Sequence, residues 1–290
     1  MAECLLELCD RFKDEYVYSS EKFVEIDPKG KILVIGDIHA DFRSLKLIYS
    51  SEKDKLRLDK NDKIIHLGDY ADRGNEPHLV YTTILSMALQ YGENFLLLKG
   101  NHDHTIGVDL TPAVHPFDLD VKLQAVFGVD KGMEVCREIM RKVWPNLPYS
   151  AIVEGKYWFV HGGVPVRGRY EGTDVKRSEI ENPSDDILWE MLWNDPIESR
   201  ENGLNMRGEN IYTFGWLATR NVLDELGVRV IIRSHEPYKV LKVEQNGMVL
   251  TVGSCPNAYR MSKGSYLMID LERDVRNANE LINFAKVFEI

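Results

Sequence analysis

Apolar residues recur at helical spacing from the first turn of the chain. Cys4, Leu5, Leu8, Cys9 and Phe12 share one face and predict an amphipathic helix over about residues 1–15. Lys31 to Ile35 then reads as a strand, followed by a helical stretch around Leu45, Ile48 and Tyr49. Ile64 to Leu67 is a second strand. The helix after it starts near Pro77, carries Val80, Ile84, Leu85 and Ala88, and stops at Gly92, with proline early and glycine late as helix ends favour. Phe95 to Leu98 is a third strand. Strands this uniformly apolar, alternating with helices, predict a mostly parallel sheet covered by helices.

Residues 105–150 break the rhythm. They hold Pro112, Pro116 and a helical pattern through Met133, Cys136, Ile139, Met140 and Val143 that ends at Trp144-Pro145. The expectation is a helical insertion within one domain spanning 1–290. Tyr157 to Val160 resumes the strands, a charged loop covers about 167–186, and a helix near 216–226 stops at Gly227. Four strand-like runs follow: Val228 to Ile232, Lys239 to Val243, Met248 to Val252 and Ser265 to Ile269. The short polar turn Gln245-Asn246-Gly247 predicts an antiparallel hairpin. The second half is therefore expected to be strand-rich and partly antiparallel.

Composition narrows the class. At 44% apolar and 28% charged over 290 residues, the chain can bury a large core. No apolar run approaches the roughly 18 residues of a membrane helix, and Glu3, Glu7 and Asp10 interrupt the start where a signal peptide would be apolar. Cys4, Cys9, Cys136 and Cys255 have no C-x-x-C spacing, which argues against a disulfide scaffold or zinc knuckle and makes a reducing cytoplasm the expected setting. The net charge of −10 disfavours nucleic acid or anionic membrane as partners. It says nothing against an anionic substrate, because a metal pair would reverse the field inside one cleft.

The candidate chemistry lies where strands end. Leu33-Val34-Ile35-Gly36 runs into Asp37-Ile38-His39, and Ile65-His66-Leu67-Gly68 runs into Asp69. Leu97-Leu98-Lys99-Gly100 runs into Asn101-His102-Asp103. Phe159-Val160 runs into His161, and Ile232-Arg233-Ser234 into His235. Ligands of α/β sheets sit beyond the carboxyl ends of the strands. That crevice would collect carboxylates, imidazoles and an amide, a thiolate-free donor set suited to Mn, Fe or Zn. Any one of these residues alone reads as a turn residue, helix cap or structural histidine; five together, all of ligand types, do not. His66 lies inside a strand, and His78, His104 and His115 in helix or loop, so these four are expected to be structural; the thiols are expected to act as small buried apolar groups.

In this order, Gly36-Asp37-Ile38-His39, Gly68-Asp69-Tyr70-Ala71-Asp72-Arg73-Gly74, Gly100-Asn101-His102-Asp103, His161-Gly162-Gly163 and Arg233-Ser234-His235 resemble the signature of the metallophosphoesterases, and more narrowly of the PPP serine/threonine protein phosphatases. The resemblance runs from about 30 to 270. Leu192-Trp193-Asn194-Asp195-Pro196, Arg207-Gly208 and Thr213-Phe214-Gly215 resemble the family's second phosphate-binding segment, and Ser254-Cys255-Pro256-Asn257-Ala258-Tyr259 its loop beside the active site. The resemblance implies a mixed-sheet β-sandwich flanked by helices, with two divalent metals, manganese foremost and iron or zinc as alternatives. Asp37, His39 and Asp69 would hold the first metal; Asp69, Asn101, His161 and His235 the second. Arg73, Arg207 and Asn101 would bind phosphate, Tyr259 would line the pocket, and His102, oriented by Asp72, would donate the proton.

The implied reaction is hydrolysis of phosphoserine or phosphothreonine in proteins by in-line attack of a metal-bridging hydroxide. Arginine forks would stabilise the equatorial oxygens and a general acid would assist the poor alkoxide leaving group. The chain departs from the family at Ala40, Lys99, Asp103 and the extra Ala258. Competing readings are a diadenosine tetraphosphatase-like hydrolase, a metal-dependent nuclease and a ligand-depleted scaffold. The 192–215 blocks speak against the first, the acidic charge against the second, and the complete ligand set against the third.

Overall fold

The structure, a computed structural model, describes residues 1–58 and 60–290. Two mixed sheets stack face to face. One runs in the order Ala285–Glu289, Lys263–Asp270, Lys31–Ile35, Lys63–His66, Phe95–Leu97; the last three are parallel, and Lys263–Asp270 is antiparallel to both its neighbours. The other runs Phe23–Glu25, Ser150–Val153, Tyr157–Val160, Val230–Arg233, Val249–Val252, Leu241–Glu244, with its three central strands parallel.

Alternation along the strands explains the layers. Ile32, Val34, Ile65 and Leu96 point between the sheets and meet Val153, Phe159, Ile232 and Leu250. Their neighbours Leu33, Ile35, Ile64 and Phe95 point the other way, onto the helices Ala2–Glu15, Phe42–Glu52 and Pro77–Tyr91. On the far side Trp158, Val160, Ile231 and Val249 pack against Asp185–Trp193 and Trp216–Leu226. Both faces of both sheets are covered, so the strands read as unbroken apolar runs rather than as alternating ones.

The insertion differs from the expected all-helical form. It opens with a two-stranded hairpin, Thr105–Ile106 against Thr111–Pro112, before Leu119–Phe127, Val129–Glu138 and a π turn at Ile139–Val143. Val135, Cys136, Ile139 and Val143 join the apolar face of Ala2–Glu15 in one core. The charged loop contains a short helix, Arg177–Glu181, where Arg177 pairs with Glu25, Glu154 and Glu181. Three strands of the two stacked sheets carried too little pattern to be read. Phe23–Glu25 has three residues, Ser150–Val153 opens with Ser-Ala, and Ala285–Glu289 is an edge strand interrupted by Lys286 and Glu289. The hairpin at 245–247 is present, with Gln245, Asn246 and Gly247 all at positive φ; its first strand, Leu241–Glu244, starts later than expected because Pro237–Lys239 forms a 3-10 turn.

His66 behaves as the expected structural histidine. It is fully buried on its strand, and its Nε2 lies 2.7 Å from the Tyr49 hydroxyl. Burial pushes its pKa down to about 3, so the folded chain keeps it neutral. Below about pH 6.5 the unfolded chain takes up a proton there that the folded chain refuses, so stability is lost as pH falls toward 3, by about 1.4 kcal/mol per pH unit. In His66→Gln the slope of unfolding free energy against pH becomes shallower by up to that amount across this window, measured by urea denaturation at a series of pH values.

Candidate metal and phosphate site

The turns that leave the two sheets interlace before any side chain is considered. The Asp37 amide donates to Ser234 Oγ at 2.8 Å, and the Gly36 amide to Ser254 Oγ at 2.8 Å. The amides of Ile38 and His39 both donate to the Asp69 carbonyl, at 3.0 and 2.7 Å. Five candidate site residues, His39, Asp69, Asp72, Arg73 and His235, hold positive φ values between 45° and 69°, a conformation that non-glycine residues adopt only where surrounding bonds enforce it. Gly100 has no room for a side chain: a Cβ there would overlap the Asp69 carboxylate and amide.

These turns bring all six expected metal ligands together. Asp69 Oδ2 lies 3.3 Å from His39 Nε2 and 3.4 Å from His161 Nε2, and Asp37 Oδ2 lies 3.8 Å from His39 Nε2. The Asn101 side-chain amide lies 2.9 Å from His161 Nε2 and 3.0 Å from His235 Nδ1, and with its nitrogen on that side it donates to both rings and to the Asp69 carboxylate. The tautomers matter. His39 Nδ1 sits 2.8 Å from the Ala71 carbonyl and His161 Nδ1 2.8 Å from the Leu67 carbonyl, bonds that require a proton on each Nδ1. In a neutral ring each Nε2 is then an acceptor, and as an imidazolium it donates toward the carboxylates: His39 Nε2 faces Asp37, Asp69 and the Tyr259 hydroxyl, and His161 Nε2 faces Asp69 and the Asn101 amide. Asp37 Oδ2 is buried with no hydrogen-bond partner among the described residues. Carboxylates crowded in a buried cleft are unfavourable unless positive charge, ring protons or bound cations, sits among them. The residues therefore fit a divalent metal pair, and their carbonyl contacts supply the outer bonds that fix ligand orientation.

The electrostatics agree. Burial alone would pull His39 down, yet the Asp69 and Asp37 carboxylates push it up to about 9. Burial would raise Asp69, but His161, His102 and His39 hold it well below the usual carboxylate range. His235 is driven well below its ordinary value by burial and by His161, Arg207 and Arg233. Cation-binding groups replace these protons with metal charge.

Beside this centre His102 Nδ1 lies 2.7 Å from Asp72 Oδ2. The other oxygen of Asp72 accepts the amides of Asp118 and Leu119, at 2.9 and 3.0 Å, where the helix Leu119–Phe127 begins. Arg73 donates to the Pro116 carbonyl at 3.3 Å. Arg207 comes from the loop between the short strands Gly203–Leu204 and Tyr212–Phe214, and its Nε donates to Asp195 Oδ2 at 2.8 Å. The other oxygen of Asp195 accepts from the fully buried Arg233 at 2.9 Å. Arg73, His102, Arg207, His235 and Tyr259 line one cleft of about 410 Å³. Tyr259 reaches it despite the extra Ala258, with its hydroxyl 3.1 Å from His39 Nε2.

One expectation changes and several residues were missed. His115 was expected to be structural; it lines the cleft, because the hairpin-led insertion folds over the site. His104 is half-buried in a neighbouring groove and His78 lies on the Pro77–Tyr91 helix, both away from the cleft. Ser234 was not anticipated as a support, yet its hydroxyl donates to Asp37 Oδ1, which also accepts the His235 amide at 2.9 Å. Asp103 gathers the amides of Asp69, Tyr70 and Gly100, at 2.7, 3.1 and 3.2 Å; burial and then Asp69 push it up to about 7. Trp189 and Trp193 stack at 5.1 Å and wall the cleft near His235. Position beside a ligand block was the only sequence signal for Ser234 and Asp103.

Fold and donor set together define a metal-dependent phosphoesterase class of site. The family described as calcineurin-like phosphoesterase matches residues 30–239, and the chain belongs to that family. A probable serine/threonine-protein phosphatase of Encephalitozoon cuniculi is 27% identical over 274 residues, covering 91% of this chain and 55% of the relative. Human serine/threonine-protein phosphatase 5 is 30% identical over 230 residues, covering 78% of this chain and 43% of its own length. The chain thus spans about half the length of these curated relatives. Among solved structures, a protein serine/threonine phosphatase from Saccharomyces cerevisiae superposes with a TM-score of 0.78 at 23% identity, covering 100% of this chain and 89% of the other. A cold-active protein tyrosine phosphatase of a Shewanella species shares the fold at a TM-score of 0.51 and 16% identity, covering 86% of this chain and 78% of the other.

Two substitutions test the crowding argument. Asp69→Asn removes the charge facing His39 and His161, and Gly100→Ala displaces Asp69 without changing any candidate ligand. Both are expected to lower bound metal, measured by mass spectrometry on purified protein, whereas Tyr259→Phe leaves metal content near that of the unaltered chain.

Proposed function

We propose that the chain, acting as one catalytic domain over 1–290, is a metal-dependent phosphomonoesterase for phosphoserine and phosphothreonine in proteins. The observation that carries this reading is the convergence of the His39 and His161 Nε2 atoms with the Asp69 carboxylate and the Asn101 amide, beside a histidine–aspartate pair and two arginines in the same cleft. Asp37, His39 and Asp69 would hold one cation, and Asp69, Asn101, His161 and His235 the other. Manganese is the ion assigned for assay, with iron and zinc as the alternatives the nitrogen–oxygen donor set accepts. When bound, the pair supplies a Lewis-acidic, water-activating centre. We assign the protein to a reducing cytoplasm, in keeping with four unpaired cysteines, three of them buried.

The chain's own groups do the rest. Arg207 keeps Nε on Asp195, so its two terminal nitrogens remain for phosphate oxygens; Arg73 faces them across the cleft. Asn101 adds its amide, and Tyr259 offers a hydroxyl. Asp72 holds His102 by Nδ1, which leaves Nε2 as the atom that delivers a proton to the leaving serine or threonine oxygen. Two backbone amides keep Asp72 from rotating away. Its carboxyl sits below the ordinary range: burial opposes this, but the bond and charge of His102 outweigh it. Trp189 and Trp193 exclude water from the His235 side.

The deciding experiment compares a phosphothreonine peptide, a phosphotyrosine peptide, a chromogenic aryl phosphate and a dinucleoside polyphosphate, each with manganese and with chelator. Chelator-sensitive turnover of the phosphothreonine peptide is expected; turnover confined to the dinucleoside polyphosphate would overturn the reading. His102→Ala is expected to slow phosphopeptide hydrolysis by about 10²–10⁴-fold with metal content unchanged. It should slow an activated aryl phosphate far less, because that leaving group needs less protonation. Asp195→Asn, which loosens Arg207, is expected to raise KM for the phosphopeptide more than it lowers kcat.

A further inference from the structure

A fully buried arginine, Arg233, closes the strand Val230–Arg233. A buried guanidinium is costly unless each of its N–H groups meets an acceptor. Arg233 satisfies all of them. Nε donates to the Gly162 carbonyl; Nη1 donates to Glu236 Oε2 at 2.6 Å and Thr251 Oγ1 at 3.4 Å; Nη2 donates to Asp195 Oδ1 at 2.9 Å and the Asn194 carbonyl at 3.5 Å. Gly162 follows His161 and Glu236 follows His235, so one planar fork ties the turns of two candidate metal ligands to Asp195.

Asp195 carries that order outward to the loop after Gly203–Leu204. Its second oxygen, Oδ2, accepts from Arg207 Nε at 2.8 Å and from Asn205 Nδ2 at 2.9 Å. The Asn205 side-chain oxygen in turn accepts the Arg207 amide at 3.1 Å. These bonds fix which way the Asn205 amide points, since a carboxylate takes only its nitrogen and a backbone N–H only its oxygen. Residue 207 is thus gripped twice: by its backbone through Asn205, and by its side chain through the carboxylate that Asn205 shares. Met206, Gly208, Glu209 and Asn210 on either side are exposed, so the packing of this loop does little to hold a long arginine side chain.

We infer that Asn205 is a positioning residue for Arg207. It completes a clamp whose fixed jaw is Asp195, held from the core by Arg233, and it keeps the two terminal nitrogens of Arg207 presented as a fork to the cleft. Asn205 acts through Arg207 and not on the substrate. The Asp195–Arg207 ion pair alone is a weak support, because the arginine side chain is 33% exposed and water competes for it. The inference rests on the phosphate-binding role proposed for Arg207.

Asn205→Ala removes the clamp and leaves both charges in place. In protein carrying isotope-labelled arginine, without added metal, the Arg207 Nε–H signal is expected to be sharp in the unaltered chain and broadened by solvent exchange in Asn205→Ala. The signal of the buried Arg233 is expected to stay sharp in both. With manganese, Asn205→Ala is expected to raise the KM for an aryl phosphate and the inhibition constant of inorganic phosphate by one common factor, about two- to tenfold, the worth of one hydrogen bond. It should lower kcat by less. In an Arg207→Ala background the same change is expected to move neither constant, which separates positioning from a general structural role. Unchanged constants in Asn205→Ala, or an equal rise in both backgrounds, would overturn the inference, as would a sharp Arg207 Nε–H signal in Asn205→Ala. Should the unaltered chain hydrolyse no phosphate ester, the phosphatase reading fails, and the Nε–H signal still decides whether the clamp exists.

Discussion

The structure is organised around a repulsion. The Asp37 and Asp69 carboxylates are held in one buried cleft against His39 and His161. Their burial is favourable only with positive charge among them, as protons on those rings or as bound cations. Much of the surrounding architecture holds it in place: strained left-handed turns at His39, Asp69 and His235, a glycine at 100 with no space for a methyl group, and Asp103 drawing three amides around the Asp69 turn. Such strain persists where neighbouring contacts over-determine the backbone.

The two sheets contribute unequally and neither suffices. Asp37, His39, Asp69 and Asn101 leave one sheet; His161 and His235 leave the other. The interlayer core of Val34, Ile65, Phe159 and Ile232 sets the spacing between the two groups. Stability and site geometry are thus linked through packing, since a shift of one sheet against the other would move His161 and His235 relative to the other four. The Ser234 hydroxyl bridges that boundary directly by bonding both the amide and the carboxylate of Asp37.

The ligand centre was almost wholly legible in the sequence, because each ligand follows an apolar strand and a small residue, and the strand carboxyl ends share one crevice by the logic of parallel sheets. What was not legible depended on geometry rather than on local pattern. Asp195 matters because Arg207 and Arg233 reach it from 12 and 38 positions away. His115 entered the cleft because a hairpin preceded the helices of the insertion, and two-residue strands leave no periodic trace. The edge strands escaped for the same reason, being short or interrupted by charge.

The start of the helix Leu119–Phe127 donates two amides to Asp72, which in turn holds His102. On the proposed roles, proton delivery would be anchored to a segment lying outside both sheets, while the cation ligands would be anchored beside them. The two halves of the machinery would then have separate mechanical foundations, and changes in length or sequence between residues 105 and 150 would retune how the leaving group departs while leaving the cation cradle untouched, a dial for reactivity independent of the capacity to load ions.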